Sequence, residues 1–256
     1  MKQGFATCLS LGRYGRFMNG GFQIAGILGI AKANGLEPVF PPWVNHDHRD
    51  RFGSNEDIDL QKYFEHPLPS IPEGVRWNPE FPVQWGYHNI VLRPGNWNLS
   101  GHFQSPRYFD NCRDQIHHYF RMWDEPPLND YVAIHVRRGD YDNGWHPRLD
   151  MKYYRPAMEL FPCHRFLVFS DDIPACKEMF GNSVDYSEGQ DYIQDFKLMK
   201  KCSSFIIGNS SYSAMAAILG ESPDKMVMAP RPWFGAVAGI TAEDLYDTDW
   251  TIVNWQ

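Results

Sequence analysis

Two adjacent arginines, Arg137 and Arg138, follow an apolar run rich in β-branched residues, 131–136, and precede Gly139 and Asp140. Such a run is typical of a buried strand, so the pattern predicts cations at the edge of a sheet. A guanidinium presents a planar fork of donors that matches phosphate oxygens, and ligands of open α/β sheets bind beyond the carboxyl ends of the strands. The segment therefore predicts a diphosphate site that needs no metal.

Two further polar clusters follow predicted strands and would share the same edge of a parallel sheet: Ser170-Asp171-Asp172 and Asn209-Ser210-Ser211. Hydroxyls and helix N-terminal amides of the second cluster suit a phosphate, and the carboxylates of the first suit a base or a ribose. Capping of the following helix is the alternative for both clusters. A Mg²⁺ site is a further alternative for the acidic one, although two nearby arginines make a metal unnecessary.

The arginines and the neighbouring histidine also have structural alternatives. A salt bridge to Asp140 would give one arginine a bracing role, so that only the other reaches a ligand. His135 lies inside the predicted strand, where a histidine is more often hydrogen-bonded in a core than catalytic.

A second candidate region lies near the N-terminus. Residues 5–11 are predicted to form a strand, residues 12–19 a glycine-containing loop, and the following residues a helix that ends at Asn34-Gly35. Asn19 and Gln23 are i,i+4 neighbours at the helix end where free N–H groups attract anions. The alternative is that the glycines only allow the helix to pack closely, and the pattern alone does not decide.

The elements that would position these residues are βα repeats in the second half of the chain. Strands are predicted at 131–136, 165–169, 202–207 and 225–229, with helices at 151–161, 173–180, 191–200 and 210–219 and a further strand at 183–186. Repeated βα units indicate a mostly parallel sheet covered by helices on both faces. Residues 41–94 are predicted to be loops and short elements, 109–123 a helix, and Asp124-Glu125-Pro126-Pro127 an interdomain linker.

The composition of this 256-residue chain narrows the class of protein. The net charge of −7 argues against a protein that wraps nucleic acid, because that binding needs a broad basic face. Five scattered cysteines without a CxxC pair favour a reducing compartment, and no apolar segment is long enough to cross a bilayer. We therefore expect a soluble cytoplasmic protein.

Metal-ligand patterns are weak. His46-Asp47-His48 has suitable spacing but no third ligand nearby, so a solvated loop is favoured. Asp57-Ile58-Asp59 and Asp247-Thr248-Asp249 match the DxD clamp of metal-dependent sugar transfer. Neither follows an apolar strand, and no metal is expected.

The segment from His135 to Tyr141 resembles the HxRRGDY signature of the α-1,2-fucosyltransferases, part of a superfamily that also contains α-1,6- and protein O-fucosyltransferases. The resemblance is densest over residues 97–234. The N-terminal loop keeps Asn19, Phe22 and Gln23 of the family pattern and departs from it at Met18, Gly20 and Gly21. Further segments agree in order and spacing, namely residues 101–105, 108–109, 149–154, 169–172, 195–202, 206–213 and 229–233.

The resemblance implies an α/β protein of the GT-B type, with two Rossmann-like domains facing a cleft and a mostly parallel sheet in the C-terminal one. We expect an acceptor-side domain at 1–125, a GDP-sugar-binding domain at 126–234, and a tail at 235–256 that packs back on the first domain. The implied reaction is inverting transfer of L-fucose from GDP-β-L-fucose to a glycan hydroxyl, with O2 of galactose expected and no metal or other cofactor.

Residue roles follow from the same resemblance. Arg137 would bind the β-phosphate with Arg138 in support. Apart from the resemblance, acceptor deprotonation needs a base within hydrogen-bond reach, and Asp140 and His146 are the candidates near in sequence; a strongly oxocarbenium-like transition state would make a base dispensable. The remaining donor contacts are expected from His135, Asp140, Asp171, Asp172, Asn209, Ser210, Ser211 and Asn19, and the acceptor side from Gln23, His102 and Gln104.

Two rival functions stay open. The first is a fucosyltransferase of the same superfamily with another linkage or acceptor. The second is a catalytically silent nucleotide- or glycan-binding protein, which the altered N-terminal loop would allow. The acceptor glycan and the oligomeric state do not follow from the sequence.

Overall fold

The computed structural model describes residues 3–13, 15–45, 58–123, 126–139, 141 and 144–256. The contacts divide the chain into two compact units. The first contains residues 1–123 and 243–247, and the second contains residues 124–242 and 248–256. Each unit is an α/β structure with its own parallel sheet.

The first unit contains a four-stranded sheet in the order β2-β1-β6-β5, with all neighbours parallel. A separate antiparallel pair joins β3 and β4. Most of the described residues between positions 41 and 94 lie outside regular elements, as the sequence predicts. The elements are β1 Phe5–Thr7, α1 Phe17–Ala33, β2 Glu37–Pro38, β3 Val44–Asn45, β4 Ile58–Asp59, β5 Phe81–Pro82, β6 Trp97–Ser100 and α2 Arg113–Tyr119.

Helix α1 is buried on nearly all sides, and its glycines admit close neighbours. A Cβ atom on Gly29 would lie 1.9 Å from the carbonyl oxygen of Tyr108, and one on Gly26 would lie 2.6 Å from Cβ of Phe103. A Cβ atom on Gly20 would lie 2.5 Å from the Trp43 indole nitrogen. The close-packing role of the glycines is therefore confirmed.

The predicted helix at 109–123 is shorter in the structure. Short 3₁₀ turns occupy Pro106–Tyr108 and Asp110–Cys112, and the α-helix covers only Arg113–Tyr119. The side chain of Asn111 donates to the Gly29 carbonyl, 3.0 Å away, which ties the turns to the crowded face of α1. Short 3₁₀ turns of this kind are frequent beside the N-terminus of an α-helix.

The second unit is built on a six-stranded, wholly parallel sheet in the order β12-β11-β10-β7-β8-β9. The predicted βα repeats are confirmed, with element ends shifted by a few residues at most. The elements are β7 Leu128–Val136, α3 Met151–Glu159, β8 Arg165–Ser170, α4 Ile173–Phe180, β9 Asp185–Tyr186, α5 Tyr192–Lys200, β10 Cys202–Ile206, α6 Ser211–Leu219, β11 Val227–Arg231 and β12 Thr251–Asn254.

The strand order reverses between β7 and β10. From β7 the chain moves through β8 to β9 on one side, and β10 then begins the other side. In open α/β sheets, ligands bind outside the carboxyl ends of the strands at such a reversal. The carboxyl end of β7 is where Arg137 and Arg138 stand, so the topology places both arginines at the favoured position.

Residues 235–256 do not behave as one segment. Thr251–Asn254 forms β12 and pairs in parallel with β11, so it completes the second unit's sheet. Residues 243–247 belong by their contacts to the first unit. Arg113 donates to both carboxylate oxygens of Asp247 at 2.7 and 2.9 Å, and Arg107 donates to Asp244 at 2.8 Å.

In the part of the chain that the structure describes, no helix has the length and apolar character needed to span a bilayer.

Candidate active site

The buried carboxylate of Asp171 organises the segment that follows β7. It accepts hydrogen bonds from the backbone N–H of Arg138 at 2.9 Å and of Gly139 at 3.0 Å, and it forms an ion pair with Arg137. The side chains of Arg137 and Asp171 are 13% and 5% exposed, so this pair is largely shielded from water. Through these contacts the Asp171 carboxylate orients the Arg137 side chain and the backbone that follows it. Its predicted contact with a nucleoside stays a prediction.

Arg138 differs from Arg137 in its surroundings. Its side chain is half-buried, and no carboxylate among the described residues lies within salt-bridge distance of it. Asp140, the predicted partner and candidate base, lies outside the described residues. The two guanidiniums thus stand at one strand end, one held by a buried carboxylate and the other without such a partner in the described ranges.

A column of aromatic rings adjoins Arg137. The guanidinium carbon lies 5.7 Å from the centre of the Tyr141 ring, and the Tyr141 ring stacks on His146 at 4.5 Å with an interplanar angle of 15°. His146 in turn contacts Phe234, with ring centroids 5.2 Å apart. The structure therefore brings His146, a predicted base, close to Arg137 through one intervening ring.

The two aspartates that follow β8 have different roles. Asp172 is the N-cap of α4 and accepts from the Ala175 N–H at 3.1 Å, so the capping alternative holds for it. The Ser170 hydroxyl accepts from the Asp172 N–H at 3.0 Å. Asp171 faces the arginines instead, although the two aspartates are adjacent in sequence.

Asn209 joins two loops at the carboxyl end of β10. Its side chain is buried and donates to the carbonyls of Pro147 at 2.9 Å and Trp233 at 3.0 Å. Its own carbonyl accepts from the Tyr141 hydroxyl at 2.7 Å. Asn209 thus braces the loops after β7 and β11, and its predicted contact with a phosphate stays a prediction.

The serines that follow Asn209 begin helix α6. Ser210 is the N-cap, and its hydroxyl accepts from the Tyr212 N–H at 3.4 Å. Ser210 and Ser211 are both half-buried. Capping therefore occurs at this position, and it is compatible with a phosphate at the same helix end.

His135 is a buried, neutral histidine. Its ring is tilted against Tyr212 at 5.3 Å, and Nδ1 has no hydrogen-bond partner in the described structure. Burial lowers the pKa of His135 to about 4, because desolvation of the charged ring outweighs the attraction of Asp171. At neutral pH the imidazole is therefore an uncharged group beside the arginines' strand.

In the first unit, the predicted residues Asn19 and Gln104 are brought together. The Gln104 amide donates to the side-chain oxygen of Asn19. The loop before the helix passes so close that a Cβ atom on Gly15 would lie 2.0 Å from the Asn19 side-chain nitrogen, and Gly15 has a φ of +76°. The glycine thus makes room for the oriented Asn19 amide.

Gln23, predicted on the acceptor side, is fully buried and holds the glycine loop in place. It accepts from the Gly12 N–H at 3.2 Å and donates to the Gly101 carbonyl at 3.0 Å. His102 is exposed beside Trp85, with ring centroids 6.0 Å apart. Phe103, next along the chain, is buried with a φ of +51°, an uncommon backbone conformation for a residue with a side chain.

The metal-ligand patterns have structural explanations where they are described. Asp59 caps a 3₁₀ turn by accepting from the Gln61 N–H, and Asp247 pairs with Arg113. His46-Asp47-His48 and Asp57 lie outside the described residues. Among the residues described, no group of three histidine, cysteine or acidic side chains could hold a metal ion.

The sequence reasoning missed the loop after β11. Phe234 and the half-exposed Trp145 lie beside His146, and Gly235 donates to the Trp145 carbonyl at 2.7 Å. The sequence signal was available, because the loop follows directly on residues 229–233, which resemble the family. The sequence reasoning assigned no role to Asp195, although it lies in a segment that resembles the family; its carboxylate accepts from the Ser187 hydroxyl at 2.6 Å, and its pKa is raised by burial to about 6.

A family model described as glycosyl transferase family 11 matches residues 89–254. Among curated proteins, the O-antigen biosynthesis glycosyltransferase WbnK of Escherichia coli is 32% identical over 187 residues, covering 61% of this chain and 62% of its own. An α-1,2-colitosyltransferase of Escherichia coli is 33% identical over 165 residues, covering 55% and 57%. The matched part thus spans less than two thirds of either bacterial relative.

A galactoside α-(1,2)-fucosyltransferase 2 of Bos taurus is 25% identical over 253 residues, covering 85% of this chain and 69% of its own. Among solved structures, POFUT1 in complex with GDP-fucose aligns with a TM-score of 0.52 at 13% identity, covering 89% of this chain and 98% of that one. The α-1,6-fucosyltransferase NodZ, co-crystallised with GDP, aligns with a TM-score of 0.53 at 12% identity, covering 89% and 95%. The predicted fold class, α/β of the GT-B type, is confirmed by these likenesses.

Proposed function

Because the chain belongs to glycosyl transferase family 11, we propose that it transfers L-fucose from GDP-β-L-fucose to a hydroxyl of an acceptor glycan, O2 of a galactose. The observation that carries the proposal is the pair Arg137 and Arg138 at the carboxyl end of β7, where the strand order of the sheet reverses. Two guanidiniums there suit a diphosphate.

The proposed reaction forms a bond between the acceptor oxygen and the anomeric carbon while the bond from that carbon to the β-phosphate oxygen breaks. The electron pair of the broken bond stays on GDP, and the hydroxyl proton passes to a base or to water. Attack from the side opposite GDP inverts the anomeric configuration. Since negative charge develops on the leaving diphosphate, cations fixed beside it stabilise the transition state more than the ground state.

In this proposal Arg137 contacts the β-phosphate, and Asp171 orients it. A guanidinium held by a buried carboxylate loses little orientational freedom when the ligand arrives, which is the condition for preorganised electrostatic stabilisation. Arg138 supports it with a second positive charge. The charge supplied by the arginines supports transfer without a metal.

The remaining donor contacts are assigned by position. Ser210 and Ser211 present the N-terminus of α6 to a phosphate, and His135 and Asp172 stand at the ends of β7 and β8, where a nucleoside can be contacted. His146 and Asp140 are the candidate bases. Asn19, with Gln104 orienting it, belongs to the first unit, as do the acceptor-side candidates Gln23 and His102.

The names of the relatives support the proposed donor sugar and the proposed acceptor hydroxyl. A relative that spans most of this chain is named a galactoside α-(1,2)-fucosyltransferase, which favours fucose and galactose O2. Another is named an α-1,2-colitosyltransferase and is 33% identical, so colitose is the second candidate sugar for the same site.

The free state of all five cysteines supports a reducing, cytoplasmic location.

The proposal is tested by incubating the purified protein with GDP-fucose or with a nucleotide-linked donor that carries colitose. Each donor is combined with a panel of galactosides, with and without EDTA. We expect GDP release that depends on GDP-fucose and a galactoside and is unaffected by EDTA. Linkage analysis and the anomeric configuration of the product then test O2 attachment and inversion. Binding of GDP without turnover on any acceptor would favour a silent binding protein instead.

A further inference from the structure

An exposed apolar surface adjoins the arginine site in the second unit. It is formed by Trp145, which is 47% exposed, and Val237, which is 66% exposed. Large apolar side chains in such positions leave hydrophobic area in water, so two of them on neighbouring loops near a polar site suit a ligand surface. We call this pair the Trp145–Val237 surface.

The loops that carry this surface are held together by close backbone contacts. The Gly235 N–H donates to the Trp145 carbonyl at 2.7 Å. A Cβ atom on Gly235 would lie 2.0 Å from the Gly144 carbonyl oxygen, and one on Gly144 would lie 3.2 Å from a methyl carbon of Val237. Only glycines permit this approach, and Gly144 also has a φ of +76°. The two exposed side chains therefore stand on a rigid support.

The buried side-chain amide of Asn209 also holds the same two loops together. Asn209 donates to the carbonyls of Pro147 and Trp233, which lie two residues from Trp145 and four residues from Val237 along the two loops. The ring column of Tyr141, His146 and Phe234 then connects this support with Arg137. The surface is thus coupled to the arginine site by packed rings and hydrogen bonds.

The chemistry of the surface favours a sugar ring. The faces of a pyranose that carry C–H bonds are apolar and pack on an indole, and the galactose ring of the proposed acceptor presents such faces. We propose that the Trp145–Val237 surface contacts the galactose ring of the acceptor and contributes to acceptor specificity. This inference rests on the proposed function, since it takes the arginine site to hold the sugar-nucleotide donor.

The experiment compares the wild-type protein with Trp145→Ala, Trp145→Phe and Val237→Ser, using lactose as the β-galactoside. Binding of lactose is followed by saturation-transfer NMR in the presence of GDP, and the KM for lactose is measured with GDP-fucose. Trp123→Ala is the matched control, because Trp123 is also a strongly exposed tryptophan, at 64%, and lies in the other unit. GDP affinity is measured by calorimetry for every variant.

We expect Trp145→Ala to raise the KM for lactose by about tenfold, through loss of the apolar contact, and to leave GDP affinity unchanged. Trp145→Phe and Val237→Ser should give smaller increases, and Trp123→Ala none. A wild-type protein that binds GDP and shows no lactose contact, or a Trp145→Ala variant that binds lactose as well as wild type, overturns the inference and leaves the donor site intact. Weakened GDP binding in Trp145→Ala alone would assign the surface to the nucleotide, whereas a wild-type protein that does not bind GDP overturns the proposed function itself.

Discussion

Arg137 illustrates how one side chain serves both structure and proposed chemistry. Its guanidinium is paired with Asp171, and the same carboxylate holds the backbone of the next two residues. A buried charge left without its partner is strongly destabilising, so the pair must be kept intact for the loop to keep its shape. The pairing also fixes the direction in which the remaining guanidinium donors point.

Replacing Arg137 with alanine should reduce turnover of GDP-fucose by about 10²–10³-fold, because a preorganised donor to the leaving diphosphate is lost. Arg137→Lys should recover part of this loss, since it restores the charge but not the planar fork. Turnover is measured as GDP released at saturating donor and acceptor. Circular dichroism and thermal melting establish that each variant is folded.

The matched control is Arg155→Ala, which removes an exposed arginine of helix α3. It should turn over like the wild-type protein. Near-normal turnover in Arg137→Ala would contradict the assignment of Arg137 to the leaving group.

Asp195 gives a prediction about pH. Its pKa is raised to about 6 by burial, so the folded protein binds a proton more tightly at this carboxyl than the unfolded chain does. The free energy of unfolding therefore falls as pH rises from about 4 to about 6, and the deficit persists above that range. Asp195→Asn removes the ionisable carboxyl, and with it this loss of stability, and keeps an oxygen that accepts from the Ser187 hydroxyl. We expect the variant to be more stable than wild type by about 1–2 kcal/mol at pH 8 and equally stable near pH 4.

Urea unfolding of Asp195→Asn and wild type across pH 4–8 measures this difference. The lowered pKa of His135 acts in the opposite direction, since stability is lost as pH falls from about 6.5 to about 4, but it is common to both proteins and cancels. Glu178→Gln, at an exposed position of α4, is the control. A difference independent of pH would contradict the role of burial at Asp195.

At the scale of single residues, the sequence predicted which side chains lie at the same edge of the sheet but not which contacts each of them makes. The positions of Arg137, Asp171 and Asn209 after neighbouring strands follow from parallel sheet geometry. That Asp171 faces the arginines while Asp172 caps a helix depends on side-chain directions at the end of β8, which spacing does not encode. The ring column beside Arg137 likewise arises from a loop after β11 that is distant in sequence.

At the scale of elements, the sheet of the second unit was the most predictable part. Apolar strands bounded by turn residues, and helices with acidic or serine N-caps, mark their own ends, as Asp150, Asp172, Asp191 and Ser210 do here. Short strands such as β2, β3 and β5 carry no comparable signal, because two residues set no periodicity. Their existence depends on neighbouring strands, so the sequence predicted only loops and short elements over residues 41–94, where β3 and β5 lie.

The end of helix α6 provides a prediction at this scale. The Lys225 ammonium group donates to the carbonyls of Ala217, Ile218 and Gly220 at 2.8, 3.1 and 2.9 Å. It thereby satisfies acceptors that the helix end leaves open and places a positive charge at the negative end of the helix dipole. Lys225→Met should lower the free energy of unfolding by about 1–2 kcal/mol, measured by urea unfolding.

Lys152→Met is the matched control, because Lys152 is exposed in the first turn of α3. Its effect should be within experimental error. Equal effects of the two substitutions would mean that the three carbonyl contacts do not stabilise the helix.

At the scale of the whole molecule, a partly buried ion pair ties residues 243–247 to the first unit. Asp247 is 5% exposed and receives two hydrogen bonds from Arg113, which also pairs with Asp110. The paired carboxylates raise the pKa of Arg113 above its ordinary value although burial opposes this. Asp247→Asn should destabilise the first unit by about 2–4 kcal/mol, because it leaves the partly buried guanidinium with a single carboxylate.

Hydrogen exchange of the amides of residues 113–119 measures this effect in the first unit alone, since unfolding of a chain with two units need not be two-state. Asp249→Asn changes the exposed acidic residue of the same Asp-Thr-Asp sequence and should leave exchange unchanged. Unaltered exchange in Asp247→Asn would show that other contacts hold residues 243–247.

The placement of residues 243–254 has a consequence for synthesis of the protein. One part of this stretch completes the first unit through Asp244 and Asp247, and the other forms the edge strand β12 of the second. A ribosome that has translated residue 242 has therefore produced two incomplete units, each with its final contacts still to come. Neither unit can therefore form all of its native contacts until late in translation, although most of each sheet is encoded far earlier.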